Sequence, residues 1–273
     1  HAQPVACKNC GPKISYKSLD GKTLANDIEA INKCVNDLKD GKIITIKGIG
    51  GFHLVCDALN NDAISRLKER KRRPHKPLAI MCKDLDMACS YAYINESEAK
   101  ILNSNLKPIV LLKSKNNLPK SISSGVGSVG IFLPPTPLHI MLLDSLNSPV
   151  IATSANPSKE PILTDFDGLV SGLSSVCDYA LDNDRDIINP SDDSICFELY
   201  SKPIYLRTSR GLKPNIMPLN LRLKDAPKGC FLALGSLMKN QFAIYKDGLI
   251  FSSPYIGDMG SLSVMKRFDE LLE

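Results

Sequence analysis

Residues 66–76, RLKERKRRPHK, hold seven Lys and Arg in eleven positions, with Glu69 the only acid among them. A solvated helix face would spread its charges among acids. Here Pro74 and Pro77 fix an extended path where Lys76 would otherwise swing free. Guanidinium forks and ammonium groups on a rigid loop suit the oxygens of a polyphosphate. Charge by itself leaves three readings open: a phosphate socket, a solvated face, and a nucleic-acid patch. A second stretch, ATSANPSKEP, ends a run of strand-forming residues in Thr153, Ser154 and Asn156. Hydroxyl and amide groups at a strand end are where ligands bind in open sheets, and a plain Asn-Pro turn is the competing reading. A third, IKGIGGFHL, has glycines that let backbone approach a ligand closely. It lacks the Lys-Ser/Thr of a P-loop and the glycine spacing of a dinucleotide site. His53 could touch substrate there or be structural, His75 lies in the basic loop, and His139 is expected to pack at a helix start. Cys7 and Cys10, in CKNC, have the bite of two zinc ligands, half of a structural site. No HExxH, catalytic triad or EF-hand pattern occurs, which gives hydrolase readings little support.

These groups need a scaffold, and the composition bounds it. An apolar fraction of 43% and a charged fraction of 23% over 273 residues describe a globular chain with room for one large unit and a second piece. A net charge of +5 permits an anionic ligand without demanding nucleic acid. No apolar run is long enough for a membrane span and no signal peptide opens the sequence. The other cysteines sit singly among apolar residues and are expected to be buried, reduced thiols, consistent with a cytoplasmic protein. A start at His1 and a stop within an unfinished helix are expected of a piece of a longer protein.

Periodicity supplies the elements. NDIEAINKCVNDLKDG predicts a helix with Ile28, Ile31, Val35 and Leu38 on one face, a capping box from Asn26 and Glu29, and a stop at Gly41. Strands are expected at 42–48, 77–82, 108–113, 128–134, 149–156, 178–182, 194–199 and 203–208, and helices from about 60, within 84–104, and over 136–146. Strands and helices intermingle without strict alternation, so a mixed α/β sheet is expected rather than a purely parallel one. Residues 211–228, with three prolines, read as a linker, followed by three strands and a helix start near Gly260.

In order, GKIITIKGIGGFHLVCDA, KERKRRPHKPLAIM, PPTPLH, ATSANPSKEPI, DRDIINPSDDSI and LRTSRGLKP resemble the YrdC-like domain of the hydrogenase maturation carbamoyltransferases, the HypF family. The flank HAQPVACKNCGP resembles the end of that family's zinc-finger region. LALGSLMKN and SPYIGDMGSL resemble the opening of its actin-like C-terminal domain, with Tyr255 where some relatives have His. The resemblance implies a zinc-finger remnant over 1–22, a YrdC-like mixed twisted sheet with flanking helices over 23–210, a linker over 211–228, and a truncated actin-like domain over 229–273. It implies that Lys71, Arg73 and Lys76 clamp phosphates, and that Ser154, Asn156 and one of Arg207 and Arg210 contact nucleotide. Lys47, His53, Thr153 and Ser194, inside the same segments, complete the candidate binding set.

The implied chemistry joins ATP, with Mg2+, to carbamate derived from carbamoyl phosphate, giving carbamoyl-adenylate and pyrophosphate. The carbamoyl group would then pass to the C-terminal cysteine of a HypE-type acceptor, toward the cyanide ligand of a nickel–iron hydrogenase. Zn2+ is implied at Cys7 and Cys10. The family's acylphosphatase domain has no counterpart in the sequence. A threonylcarbamoyl-adenylate synthase of the same fold, and a non-catalytic module holding double-stranded RNA, are the alternatives.

Overall fold

A computed structural model of the chain describes residues 11–123, 125–218 and 228–273. The first unit opens with β1 (Ile14–Ser18), β2 (Thr23–Asn26), α1 (Asp27–Lys39), β3 (Ile44–Lys47), β4 (Phe52–Asp57), α2 (Asn61–Arg70) and β5 (Ala79–Met81). It continues through α3 (Leu85–Tyr91), β6 (Ala92–Tyr93), α4 (Glu96–Asn103), β7 (Ile109–Ser114), α5 (Lys120–Ser123), β8 (Ser128–Phe132) and α6 (Pro137–Leu146). It closes with β9 (Val150–Ser154), α7 (Phe166–Leu173), β10 (Tyr179–Asn183), β11 (Ile195–Leu199) and β12 (Lys202–Arg207). The second unit holds β13 (Asn215–Pro218), β14 (Cys230–Ala233), β15 (Ala243–Lys246), β16 (Leu249–Ser252) and α8 (Leu262–Leu272).

The large sheet runs β12-β11-β7-β8-β5-β9-β4-β3-β10-β1-β2, with β6 on β7. It is mixed: β10 is parallel to β3, β5 to β8 and β11 to β7, whereas β3–β4, β4–β9 and β5–β9 are antiparallel. Strand alternation sends side chains to two faces, each under its own helices. Phe52, Leu54 and Cys56 of β4 meet Ile64 and Leu67 of α2, Leu102 of α4 and Leu169 of α7. Val55, with Ile44 and Ile46 of β3, meets Ile31, Val35 and Leu38 of α1 and Leu142 and Leu143 of α6. Each such fully buried apolar side chain contributes about 1.5–3 kcal/mol. The smaller sheet, β13-β16-β15-β14, is antiparallel and packs Phe242 and Ile256 against Val264 of α8.

Several local expectations are corrected. Ile28 is exposed, and Asn26 makes no side-chain cap, because it ends β2 opposite Ser15 and the next residue, Asp27, is left-handed at φ 50°. Residues 14–22 are not part of a zinc-finger remnant: β1 pairs with β10 in the large sheet and buries Tyr16, whose hydroxyl donates to Asp37 at 2.7 Å. Residues 215–218 are not linker either. Asn215–Pro218 pairs with β16, and its proline sits at the strand end, where the missing N–H costs least. Of the single cysteines, Cys34, Cys56, Cys82, Cys177 and Cys196 are buried, but Cys89 and Cys230 are exposed. No helix among the described residues is long and apolar enough to cross a membrane.

One close approach ties the sheet to the site. Ser191 donates its N–H to the Gly50 carbonyl at 2.9 Å, and a Cβ at Gly50 would lie 2.2 Å from the Ser191 carbonyl oxygen. Gly50→Ala must displace the 190–194 segment, so it should lower stability by about 1–3 kcal/mol. Urea unfolding followed by circular dichroism measures this, and an unchanged midpoint would show that the segment yields freely.

Candidate functional site

The basic run is divided by the way α2 stops. Asn60 caps the helix N-terminus, its Oδ1 accepting from the N–H of Asp62 and Ala63 at 3.1 and 3.0 Å. At the other end the N–H of Arg73 bonds to the Lys68 carbonyl at 3.0 Å and that of Arg72 to the Glu69 carbonyl at 2.9 Å. That is a Schellman closure with Arg72, at φ 52°, in the left-handed position that glycine usually fills. The charges before the turn are structural: Arg66 donates to the Gly41 carbonyl, and Arg70 to Asp178 at 2.9 Å. The charges after it belong to a cavity.

That cavity, about 450 Å³, is lined by Arg73, His75 and Lys76 from the basic loop and by Ser154 and Asn156 from the end of β9. Lys159 and Glu160, Asp192, Arg207, and Tyr255 to Asp258 of the second unit complete the wall. Lys71 lies just behind it, with Thr153, Arg73 and Lys76 around a small recess, and donates its Nζ to the Ser154 carbonyl at 2.7 Å. The Ser154 hydroxyl donates to Asn156 Oδ1 at 3.0 Å, and Asn156 Nδ2 donates to the Glu160 carbonyl at 2.7 Å, which sets the amide's orientation.

Burial, with Arg73 and Lys76 nearby, pushes Lys71 down to about 7. Burial and the positive charges of Arg73 and Arg207 lower Lys76 as well. Burial raises the Asp192 carboxyl against the pull of Arg207. Arg207 is aimed by its Nε, which donates to the Asp193 carbonyl at 2.7 Å, and by Asp192, 3.7 Å from its Nη1. The arrangement gathers more cations than carboxylates around a hollow, with a hydroxyl and an amide at one side, a charge balance that suits an anionic ligand.

Beyond Lys71 and Thr153, which line the recess behind the wall, four sequence candidates are not brought to the cavity. Lys47 is spent within the sheet, donating to the Asn183 carbonyl at 3.0 Å with Asp182 at 3.5 Å. His53 Nε2 lies 3.1 Å from Asp193, and Arg210 grips the same carboxylate with Nε at 2.9 Å and Nη2 at 2.8 Å. Arg210 also donates to the carbonyls of Leu106 and Lys107, so every arm of its guanidinium is committed. The Ser194 hydroxyl is buried between Ser209 N–H and the Arg210 carbonyl. Burial opposes ionisation of Asp193, but His53 and Arg210 hold its carboxyl well below the usual carboxylate range. Between the two arginines left open by the sequence, Arg207 lines the cavity and Arg210 braces the segment behind it. His139 is buried, its Nδ1 2.6 Å from the Thr136 hydroxyl at the start of α6. Burial and the neighbouring His53 take it down to about 3, so it stays neutral. Asp192, Lys159, Glu160 and Asp258 were missed by sequence reasoning, since lone charged residues in loops carry no spacing signal. Cys7 and Cys10 lie outside the described residues, and no group of three metal-ligating side chains occurs among those described.

A family model, Sua5–YciO–YrdC, described as telomere recombination, matches residues 36–209. The chain belongs to this family. A second model, the HypF Kae1-like domain, matches residues 226–273. The chain is 39% identical over 262 residues to a carbamoyltransferase HypF of Synechocystis, covering 95% of this chain and 34% of that protein. It is 36% identical to that of Rhodobacter capsulatus, covering 98% and 35%. The crystal structure of full-length HypF in its phosphate- and nucleotide-bound form superposes with a TM-score of 0.91 at 36% identity, over 100% of this chain and 35% of that one. The resemblance drawn from the six motifs therefore holds, and the chain spans about a third of the length of these relatives. The mixed sheet also matches Pyrococcus abyssi Sua5 in complex with L-threonine, with a TM-score of 0.61 at 21% identity, which speaks for the fold.

A polyanion entering the cavity restores the proton that burial removes from Lys71. Because the free pKa is about 7, binding of inorganic tripolyphosphate should take up a proton at pH 8, and affinity should fall as pH rises through 7 toward 9. Calorimetry in buffers of different ionisation enthalpy measures the uptake. Lys71→Met should abolish most of it, and equal uptake in that variant would assign the proton elsewhere.

Proposed function

We propose that this chain forms carbamoyl-adenylate from ATP and carbamate, as one catalytic part of a carbamoyltransferase of hydrogenase maturation. The observation that carries this reading is the convergence of Arg73, Lys76 and Arg207 with Ser154 and Asn156 on one cavity, in a chain similar end to end to HypF carbamoyltransferases. The chemistry suits these groups. A carbamate oxygen bonds to the α-phosphorus while the bond from that phosphorus to the bridging oxygen breaks, and pyrophosphate leaves with the electron pair. No proton abstraction is required, so the protein's task is placement and neutralisation of charge.

Lys71, Arg73, Lys76 and Arg207 hold the phosphate oxygens. The Ser154 hydroxyl and the Asn156 amide, already oriented by their own hydrogen bonds, meet the α-phosphate or the carbamoyl group. No group of three metal-ligating side chains occurs among the described residues, so in this reading a Mg2+ would arrive with the triphosphate and its water. When bound, that ion supplies charge neutralisation on the triphosphate. The product's carbamoyl group would go on to the C-terminal cysteine of a HypE-type acceptor. A Zn2+ site at Cys7 and Cys10 belongs to the same reading and takes no part in the chemistry.

ATP–pyrophosphate exchange tests the proposal. Carbamate is generated from carbamoyl phosphate by an added acylphosphatase, and a parallel arm supplies threonine with bicarbonate. Exchange that needs the carbamoyl donor should appear in the wild-type chain and fall at least about a hundredfold in Lys71→Ala/Arg73→Ala, since two phosphate clamps are lost. Exchange with threonine instead would assign a threonylcarbamoyl-adenylate synthase. No exchange, together with salt-dependent binding of double-stranded RNA, would favour the binding module.

A further inference from the structure

The wall of the cavity is not all of one unit. Arg207 closes β12, and the residue after it is where the units meet. The Thr208 carbonyl accepts from Tyr255 N–H at 3.1 Å and from Gln241 Nε2 at 2.9 Å, and the same Gln241 nitrogen donates to the Ser253 carbonyl at 2.9 Å. On the opposite rim the Ser263 hydroxyl, in the first turn of α8, donates to the Glu160 carboxylate. Between these two bridges the Tyr255 ring faces Arg207, with the guanidinium carbon 5.4 Å from the ring centroid.

We propose that Tyr255 is a binding residue of the nucleotide site supplied by the second unit, that its ring holds Arg207 at the cavity, and that nucleotide binding is thereby coupled to docking of that unit. This rests on the ATP reading above and deepens it. The Asp193 carbonyl and Asp192 hold the edge of Arg207, and the physical case lies in what could hold its face. It shares the cavity with Arg73 and Lys76, which repel it. Asp192 already lies 3.7 Å from its Nη1, and a second carboxylate, stacked on its face, would cancel more of the charge that phosphate needs and would itself repel phosphate. An aromatic face attracts the guanidinium through its quadrupole and leaves the positive charge intact. Burial, then Asp192, raise the Tyr255 phenol, so its hydroxyl stays protonated at neutral pH and adds no negative charge beside the ligand. Coupling is reciprocal: whatever Tyr255 contributes to ATP affinity, ATP returns to the contact between units.

The test is calorimetric ATP binding to the full chain and to Tyr255→Phe, Tyr255→Ala, Tyr255→Leu, Arg207→Ala and the Tyr255→Ala/Arg207→Ala pair. Tyr255→Phe keeps the ring and should bind within about twofold of wild type. Tyr255→Ala and Tyr255→Leu should each weaken binding roughly 3- to 30-fold, the range of a partly desolvated cation–π contact. On the Arg207→Ala background the Tyr255→Ala cost should all but vanish, since the two residues act as one. ATP should slow hydrogen exchange at the amides of Tyr255 and Gly257 in wild type and not in Tyr255→Leu. Wild-type affinity in Tyr255→Leu, or an undiminished Tyr255→Ala cost in the absence of Arg207, would overturn this inference while the ATP reading stands. A wild-type chain that binds no ATP would overturn both.

Discussion

Like charges held together against their own repulsion set the terms for everything else in this molecule. Arg73, Lys76 and Arg207 share one hollow, with Lys71 directly behind, and burial strips Lys71 toward neutrality. Such a cluster does not assemble by mutual attraction. It is imposed by backbone that is fixed elsewhere, is offset in part by Asp192, Glu160 and Asp258 on the same wall, and would be relieved further by an entering anion. The free site is thus an electrostatic strain that its ligand releases, which favours binding of species with several negative charges over those with one.

The restraints lie in three layers of increasing distance. Nearest is the turn that ends α2, where Arg72 adopts a left-handed backbone and the helix-borne Arg66 and Arg70 part from Lys71, Arg73 and Lys76 at the site. Next is the 190–194 segment, tied to Gly50, whose Asp193 is gripped by His53 and Arg210 and whose carbonyl aims Arg207. Farthest is the sheet itself. Antiparallel pairing of β9 with β4 places Ser154 opposite His53, so the polar end of one strand and the support of the opposite wall share a register. A buried charge pair such as Asp193–Arg210 adds little net stability when set against its desolvation cost. Its effect here is geometric, because both partners are fully hydrogen-bonded and neither has an alternative arrangement.

Contact between the units gives this site a character the large sheet alone does not have. Tyr255, Ile256, Gly257 and Asp258 form a wall that the first unit lacks. The same contact brings the start of the second unit to the place where the activated group would be made.

Much was readable from the residues themselves. The start of α2 near Asn60, the apolar run of β9 and the proline-broken basic loop are local patterns, and they survive because their causes are local, whereas β4, read only as a glycine-rich turn, is buried along almost its whole length between β3 and β9. The set Lys71, Arg73, Lys76, Ser154 and Asn156 came from the family resemblance, since the residues alone left a solvated face and a plain turn open; the structure brings Arg73, Lys76, Ser154 and Asn156 to one cavity with Lys71 behind it. Tertiary structure decided the rest. Lys47 and Lys71 are both lysines beside a glycine- or arginine-rich turn, yet one is buried against Asp182 and the other shares a recess with Arg73 and Lys76. Arg207 and Arg210 lie three positions apart, and only the path of the chain after β12 makes one line the cavity and the other a brace behind it. Residues 14–18 and 215–218 looked like flanking coil, since a short strand is stabilised by partners distant in sequence, Tyr179–Asn183 and Leu249–Ser252. The sequence by itself determined which groups could do the chemistry and the elements that carry them. Which of them meet was decided by long-range pairing and packing, because a side chain's electrostatic partner is a property of space and leaves no periodic mark along the chain.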